Sequence, residues 1–197
     1  MKKEKGGEKV PTITVYKIED WRKWLSRNHL KKKKVGMISY KKHTGKSFIG
    51  HHEAMREAIR FGWIDTTINK LDDKRFVRHF VRRGDNANWS RNTLKYAREI
   101  IKEGKMSEHG LMRYKQGLKK RPHDHGIPDS PRMPKDLGEI LEKDKSREYF
   151  DSLAPSYRKM LFRWILRAKL SETRQKRVKI VAGVAKSKGK NKVFPAA

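Results

Sequence analysis

The chain has 197 residues, enough for one ordinary domain or two small ones, and 35% of them are hydrophobic against 37% charged. Lys and Arg number 51 against 22 Asp and Glu, a formal charge of +29 with a pI near 10.4, while 7 Phe, 6 Tyr and 5 Trp suffice to seed a packed core. The composition excludes a disordered chain, and the absence of cysteine excludes disulfides, thiolate catalysis and thiolate zinc sites. A cation this strong attracts polyanions over about a Debye length, roughly 8 Å at physiological salt. Nucleic acid is the commonest such partner, and an anionic membrane surface comes second. Thermophilic adaptation raises Lys and Glu together, and that is not the imbalance seen. The opening MKKEKGGEKV is not followed by an apolar run of signal type, and no stretch approaches the roughly 20 apolar residues needed to span a bilayer. The expected location is the cytoplasm.

Residues 1–11 read as a flexible basic tail. Thr12 to Lys17 alternate in polarity, which predicts a strand over 12–17. Asp20 is placed to cap a helix over 20–28, whose apolar face is Trp21, Trp24 and Leu25 at i, i+3, i+4. The run Lys31 to Lys34 reads as a solvated turn that adds to a basic face, and a second strand is predicted over 35–41. A helix over 51–61 follows, with Ala54, Met55, Ala58 and Ile59 as its buried stripe and Gly62 as its C-terminal cap. Trp63 should be buried, with Trp21 and Trp24 nearby. Strands over 66–71 and 74–82 should form a hairpin turning at Asp72-Asp73. On the second of these, Phe76, Arg78, Phe80 and Arg82 share a face, and Val77, His79 and Val81 share the other. An arginine-aromatic face suits single-stranded nucleic acid. The same pattern also suits phenylalanines packed under a helix with arginines snorkelling at the rim, and a hairpin must bury one face.

Ser90 and Ser107 are N-cap candidates for helices over 91–103 and 108–119. The first carries Leu94, Ala97, Ile100 and Ile101 and ends at Gly104; the second makes its contacts through Leu111, Tyr114 and Leu118. Together residues 12–120 make an α/β N-terminal domain. Residues 121–133 read as a Pro-rich linker. The segment from 134 to 151 is rich in acids and could fold back on a basic surface. Pro155 opens a helix with Tyr157, Met160, Leu161, Trp164, Ile165 and Ala168 on its apolar stripe and Lys159, Arg163 and Arg167 on another face. Ser171 caps the last helix, which packs through Val178, Val181 and Val184. Residues 134–186 form a helical domain, and 187–197 a disordered basic tail. The fold class is α+β: a small mixed sheet with packed helices, then a mostly helical C-terminal part.

Three constellations invite catalytic or ligand readings, and each is weak. The HTGKS turn, His43 to Ser47, has Tyr40 where a phosphate-binding loop needs its first glycine, so no nest of N–H groups is encoded. His123-Asp124-His125 offers only two imidazoles on a flexible segment, so no metal site is expected. His51, His52 and Glu53 precede a helix and Asp65 follows Trp63, but consecutive helical residues diverge by about 100° and no nucleophile is placed by spacing. The expectation is a protein that is not an enzyme and uses no cofactor.

The segments YKKHTGKS, EAMREAIRFGWID, KLDDKRFVRHFVRR, NWSRN and FDSLAPSYRKMLFRWILRAKLSETRQKRV resemble the YdeI/OmpD-associated, or bacteriocin-protection, family over most of residues 12–186. The resemblance implies a small α/β N-terminal part, a helical C-terminal part, a role in stress or bacteriocin protection, and no established catalytic residues. This chain departs from the family in its basicity. Two functions follow. One is a nucleic-acid binder, RNA or DNA without strong sequence preference, whose contacts are Lys159, Arg163, Arg167, Lys176, Lys179, Lys186, Lys188, Lys190 and Lys192. The other is a protection protein acting through a protein partner or the envelope.

Overall fold

The computed structural model describes residues 10–189, which fall into two compact units, one ending at Pro122 and the other beginning at His123. In the first unit the order is β1 (Thr12–Thr14), α1 (Ile18–Asn28), β2 (Lys34–Tyr40), α2 (His51–Arg60), β3 (Trp63–Lys70), β4 (Arg75–Arg82), α3 (Arg91–Lys102) and α4 (Glu108–Leu118). The four strands form one mixed sheet in the order β1-β2-β4-β3, with β1 parallel to β2 and the other pairs antiparallel. The α+β class expected from the sequence is the class observed, helical C-terminal part included.

Register decides which face of the sheet is the core. Val35 lies opposite Phe80, Met37 opposite Arg78 and Ser39 opposite Phe76, so these six share one face. Val35, Met37 and Phe80 are fully buried there with Trp21, Leu25, Ala54, Ala58 and Trp63. Trp63 is 0% exposed, meets Trp24 edge-on at 5.8 Å and donates from its indole nitrogen to the carbonyl of His29. The Trp21 indole donates to the carbonyl of Ala54 at 3.0 Å, which pins α1 to α2. The Phe76/Arg78/Phe80/Arg82 face therefore packs inward. Arg78, 8% exposed, is paired with Asp65 at 3.4 Å, and burial lowers its pKa against the pull of that carboxylate. The middle of the arginine-aromatic face, Arg78 and Phe80, is packed, and Phe76 and Arg82 at its ends are half-buried.

Helix α2 divides its buried stripe between two cores. Ala54 and Ala58 are small enough to let it approach the sheet and α1. Met55 and Ile59 join Trp89, Leu94, Ala97 and Ile100 in a second cluster under α3. Both serine caps form: Ser90 Oγ accepts from Thr93 N at 3.1 Å, and Ser107 Oγ accepts from Gly110 N at 3.0 Å. Gly62 and Gly104 take left-handed φ values of 76° and 67° just past α2 and α3.

Several expected boundaries and faces shift. β1 stops at Thr14, and Pro11 already accepts a sheet hydrogen bond from Gly36, so the expected tail reaches the sheet by residue 11; the rest of it, residues 1–9, lies outside the described residues. α1 begins at Ile18 with Lys17 at the cap, which puts Glu19 and Asp20 in the first turn, where they complement the positive end of the helix dipole. β3 begins at Trp63, three residues early, because the chain enters the sheet directly from the Gly62 turn. α4 packs through Tyr114, which meets the Trp89 cluster as expected, but not through Leu118. Leu118 is 52% exposed, and the buried positions are Gly110 against the Arg60 carbonyl and Gly117 against the Trp89 ring.

The second unit holds α5 (Lys135–Lys143), α6 (Arg147–Ser152), α7 (Pro155–Leu166) and α8 (Ser171–Lys186). Its core gathers Leu137, Leu141, Phe150, Leu161, Phe162, Ile165, Val178, Val181, Ala182 and Ala185. The buried face of α7 is rotated from the expected stripe: Phe162 is buried at 8% and Met160 stands 44% exposed. Leu170, not Ser171, occupies the cap position of α8. Residues 187–189 are not tail; Gly189 N donates to Val184 O and closes the helix end. The Pro-rich segment is no free tether beyond residue 122, since Asp124 and Ile127 are buried at 3% and 6%.

Candidate nucleic-acid interface

The cations expected to face solvent on α7 and α8 separate into two groups. Lys159, Arg167, Lys176, Lys179 and Lys188 are exposed and, among the described residues, enter no ion pair. Lys176 and Lys179 are three residues apart on α8, on the side away from Val178, Val181 and Val184. Arg167 follows the end of α7. Its pKa is lowered first by burial and then by the charge of Arg163, with Arg177 adding to the effect, so an anion there would relieve repulsion.

The other group is committed. Arg163 does not point freely to solvent: it donates to Pro128 O at 3.0 Å and to Asp124 Oδ2 at 3.3 Å, because the Pro-rich segment folds over α7. That contact also engages the one carboxylate of the His-Asp-His run. Lys186 pairs with Asp144 at 3.4 Å. Lys190 and Lys192 lie outside the described residues. The acidic segment does fold back on basic side chains: Asp136 accepts from both Arg174 nitrogens at 2.8 and 2.9 Å, and Asp151 accepts from Arg147 and Arg158. The carboxylates of this unit are thus largely spent on arginines, with Lys135 and Lys186 also paired, while Lys159, Lys176 and Lys179 keep their charge for solvent.

In the first unit, Lys31 to Lys34 are all exposed, as a solvated turn should be; the amides of Lys31 and Lys32 close it on Asn28 O. Arg83 is lost to the interior. It lies 4.0 Å over the Trp89 ring, donates to Asn88 O, and burial lowers its pKa to about 10.

His51 and His52 part company as the helical geometry requires. His51 Nε2 lies 3.0 Å from Asp65 Oδ2, and His52 Nδ1 lies 2.9 Å from the Tyr96 hydroxyl. The two pairs tie the first turn of α2 to β3 and to α3. The sequence already sets Asp65 beside this cluster, but not Tyr96, which is remote in the chain and belongs to no motif. No group of three or more His, Asp or Glu side chains among the described residues is arranged to hold a metal ion. No helix among them is long and apolar enough to cross a membrane.

A family model described as a domain of unknown function, DUF8412, matches residues 13–113, just over half of the chain. A second, described as bacteriocin-protection, YdeI or OmpD-associated, matches residues 130–186. No curated protein and no solved structure matches. Four of the five segments that carry the sequence resemblance, from YKKHTGKS to NWSRN, fall in the first match, and FDSLAPSYRKMLFRWILRAKLSETRQKRV falls in the second. The chain belongs to the family of that domain of unknown function through its first unit, and its second unit carries a bacteriocin-protection, YdeI or OmpD-associated domain.

Proposed function

We propose that this protein holds nucleic acid, RNA or DNA, through phosphate contacts without strong sequence preference, as a cytoplasmic binding protein and not as an enzyme. The observation that supports the reading is the division of charge in the second unit. Its carboxylates pair mainly with Arg147, Arg158, Arg163 and Arg174, while Lys159, Arg167, Lys176 and Lys179 remain exposed and unpaired among the described residues. Lysines on flexible stems reach phosphates without fixed geometry, which suits binding that reads the backbone and ignores the bases. The test is the triple variant Lys159→Glu, Lys176→Glu, Lys179→Glu against mixed RNA and DNA. A large loss of affinity at about 50 mM salt is expected, where phosphate contacts are strong. Unchanged affinity in a variant with native circular dichroism would refute the surface.

A second reading, protection against bacteriocins through a protein partner, draws on the family match over residues 130–186. It is an association by family and not a reading of any site. A pull-down that returns one protein stoichiometrically after nuclease treatment would favour it.

A further inference from the structure

The face of the sheet turned away from the core ends in a patch that no sequence motif signalled. Tyr40 lies opposite Arg75 across β2 and β4, on the face not shared by Val35, Met37 and Phe80. Tyr16, 46% exposed, stacks on Tyr40 with ring centroids 6.0 Å apart and planes within 13°. The Lys46 ammonium sits 4.6 Å from the Tyr40 centroid. The loop that carries Lys46 is drawn in by Ser47, whose hydroxyl donates to Tyr16 O at 3.1 Å, and it also presents Phe48, 44% exposed. Arg75 is held by Asp72, whose Oδ1 accepts the amides of Lys74 and Arg75 and whose Oδ2 accepts from the Arg75 side chain, which leaves Lys46 as the cation over the rings. The neighbouring Tyr40 raises the pKa of Tyr16 above the ordinary phenol value.

We infer that this patch is a base-stacking site for single-stranded nucleic acid, with Tyr16 and Phe48 as ring platforms and Lys46 as the phosphate contact. The inference rests on the nucleic-acid reading above and adds a strand preference and a second contact surface, in the first unit. The chemistry is specific to an unstacked strand. Exposed rings flanked by a cation offer π-faces to bases and charge to the backbone together, whereas bases in a duplex are already stacked on one another. An acidic peptide would satisfy the cation and leave the rings unused.

The experiment uses the full chain and fluorescently labelled oligouridine, oligothymidine and a mixed-sequence duplex. The variants are Tyr16→Ala, Phe48→Ala and Tyr16→Phe, all at exposed positions. For the two alanine variants, single-strand affinity should fall roughly tenfold, duplex affinity should hold, and Tyr16→Phe should bind as wild type does. A loss confined to oligouridine or to oligothymidine supports the site. Equal affinities of wild type and alanine variants for single strands would overturn the stacking site while leaving phosphate binding elsewhere intact. So would displacement of the strand by polyglutamate with the same dependence on Tyr16. A wild type that binds none of the three probes would refute the underlying nucleic-acid reading itself.

Discussion

Gly110 tests the packing most sharply, because helix propensity and packing predict opposite signs there. It lies inside α4, where an alanine alone would gain about 1 kcal/mol of helix stability. A Cβ at this position would stand 2.2 Å from the backbone carbonyl oxygen of Arg60 and 2.7 Å from the Met106 sulfur. Methionine can move aside, but the carbonyl cannot. It ends α2 and accepts from both the Ser107 amide at 3.1 Å and the Ser107 hydroxyl at 2.8 Å. Forced separation of the two helices costs about 1–3 kcal/mol in overpacking, and the two weakened hydrogen bonds cost about 1 kcal/mol each. Gly110→Ala should therefore destabilise the first unit by about 2–4 kcal/mol net of the propensity gain. Gly183, inside α8 with nothing within 4 Å of a built Cβ, is the control; Gly183→Ala should stabilise by about 0.5–1 kcal/mol. Urea titrations followed by far-ultraviolet circular dichroism give both values. A Gly110→Ala protein as stable as wild type would refute the close approach of α4 to α2.

Trp63→Ala should cost about 3–5 kcal/mol, since the ring is wholly buried between sheet and α1; an unchanged melting temperature would contradict that. His109 sets a pH dependence. Its Nδ1–H donates to Phe61 O at 3.0 Å, its Nε2 accepts from Arg113, and burial together with the charges of Arg113 and His29 lowers its pKa. A folded pKa below the unfolded one means the unfolded chain binds more protons, so stability should fall as pH drops below about 6.5. His109→Gln should flatten the fall in melting temperature between neutral and mildly acidic pH, and an equal fall in both proteins would count against this role. Asp136→Asn releases Arg174 from its bidentate partner. Nucleic-acid affinity at low salt should rise severalfold while stability, for a half-buried surface pair, falls by about 1 kcal/mol; a fall in affinity would count against binding through the unpaired cations.

Much of the first unit was legible because its signals are local. Ser90 and Ser107 announce their helices by cap chemistry, Gly62 its turn by the need for positive φ, and Trp21 and Leu25 their face by helical spacing. The faces were harder. The alternation of β4 shows that Phe76, Arg78 and Phe80 share a side, but only pairing with Val35 and Met37 shows that the side is inward. On α4 the apolar stripe points to Tyr114, which does pack, but gives no sign of the two glycines that approach more closely than any leucine. The rotation of α7 toward Phe162 and the capture of Arg163 by Asp124 both depend on segments remote in sequence. For the same reason the Tyr16–Tyr40–Lys46 patch was invisible. Its members come from a strand end, a turn and a loop, joined only by the fold.

Whether the unpaired cations bind phosphate is decided by salt titration of the wild-type protein. Fluorescence anisotropy of a labelled mixed-sequence duplex, measured from about 50 to 200 mM salt, gives the log–log slope, which is roughly −0.9 per phosphate neutralised. If Lys159, Arg167, Lys176, Lys179 and Lys188 each meet one phosphate, the slope should be about −4 to −5. A slope near zero, or no binding at the lowest salt, would contradict the account.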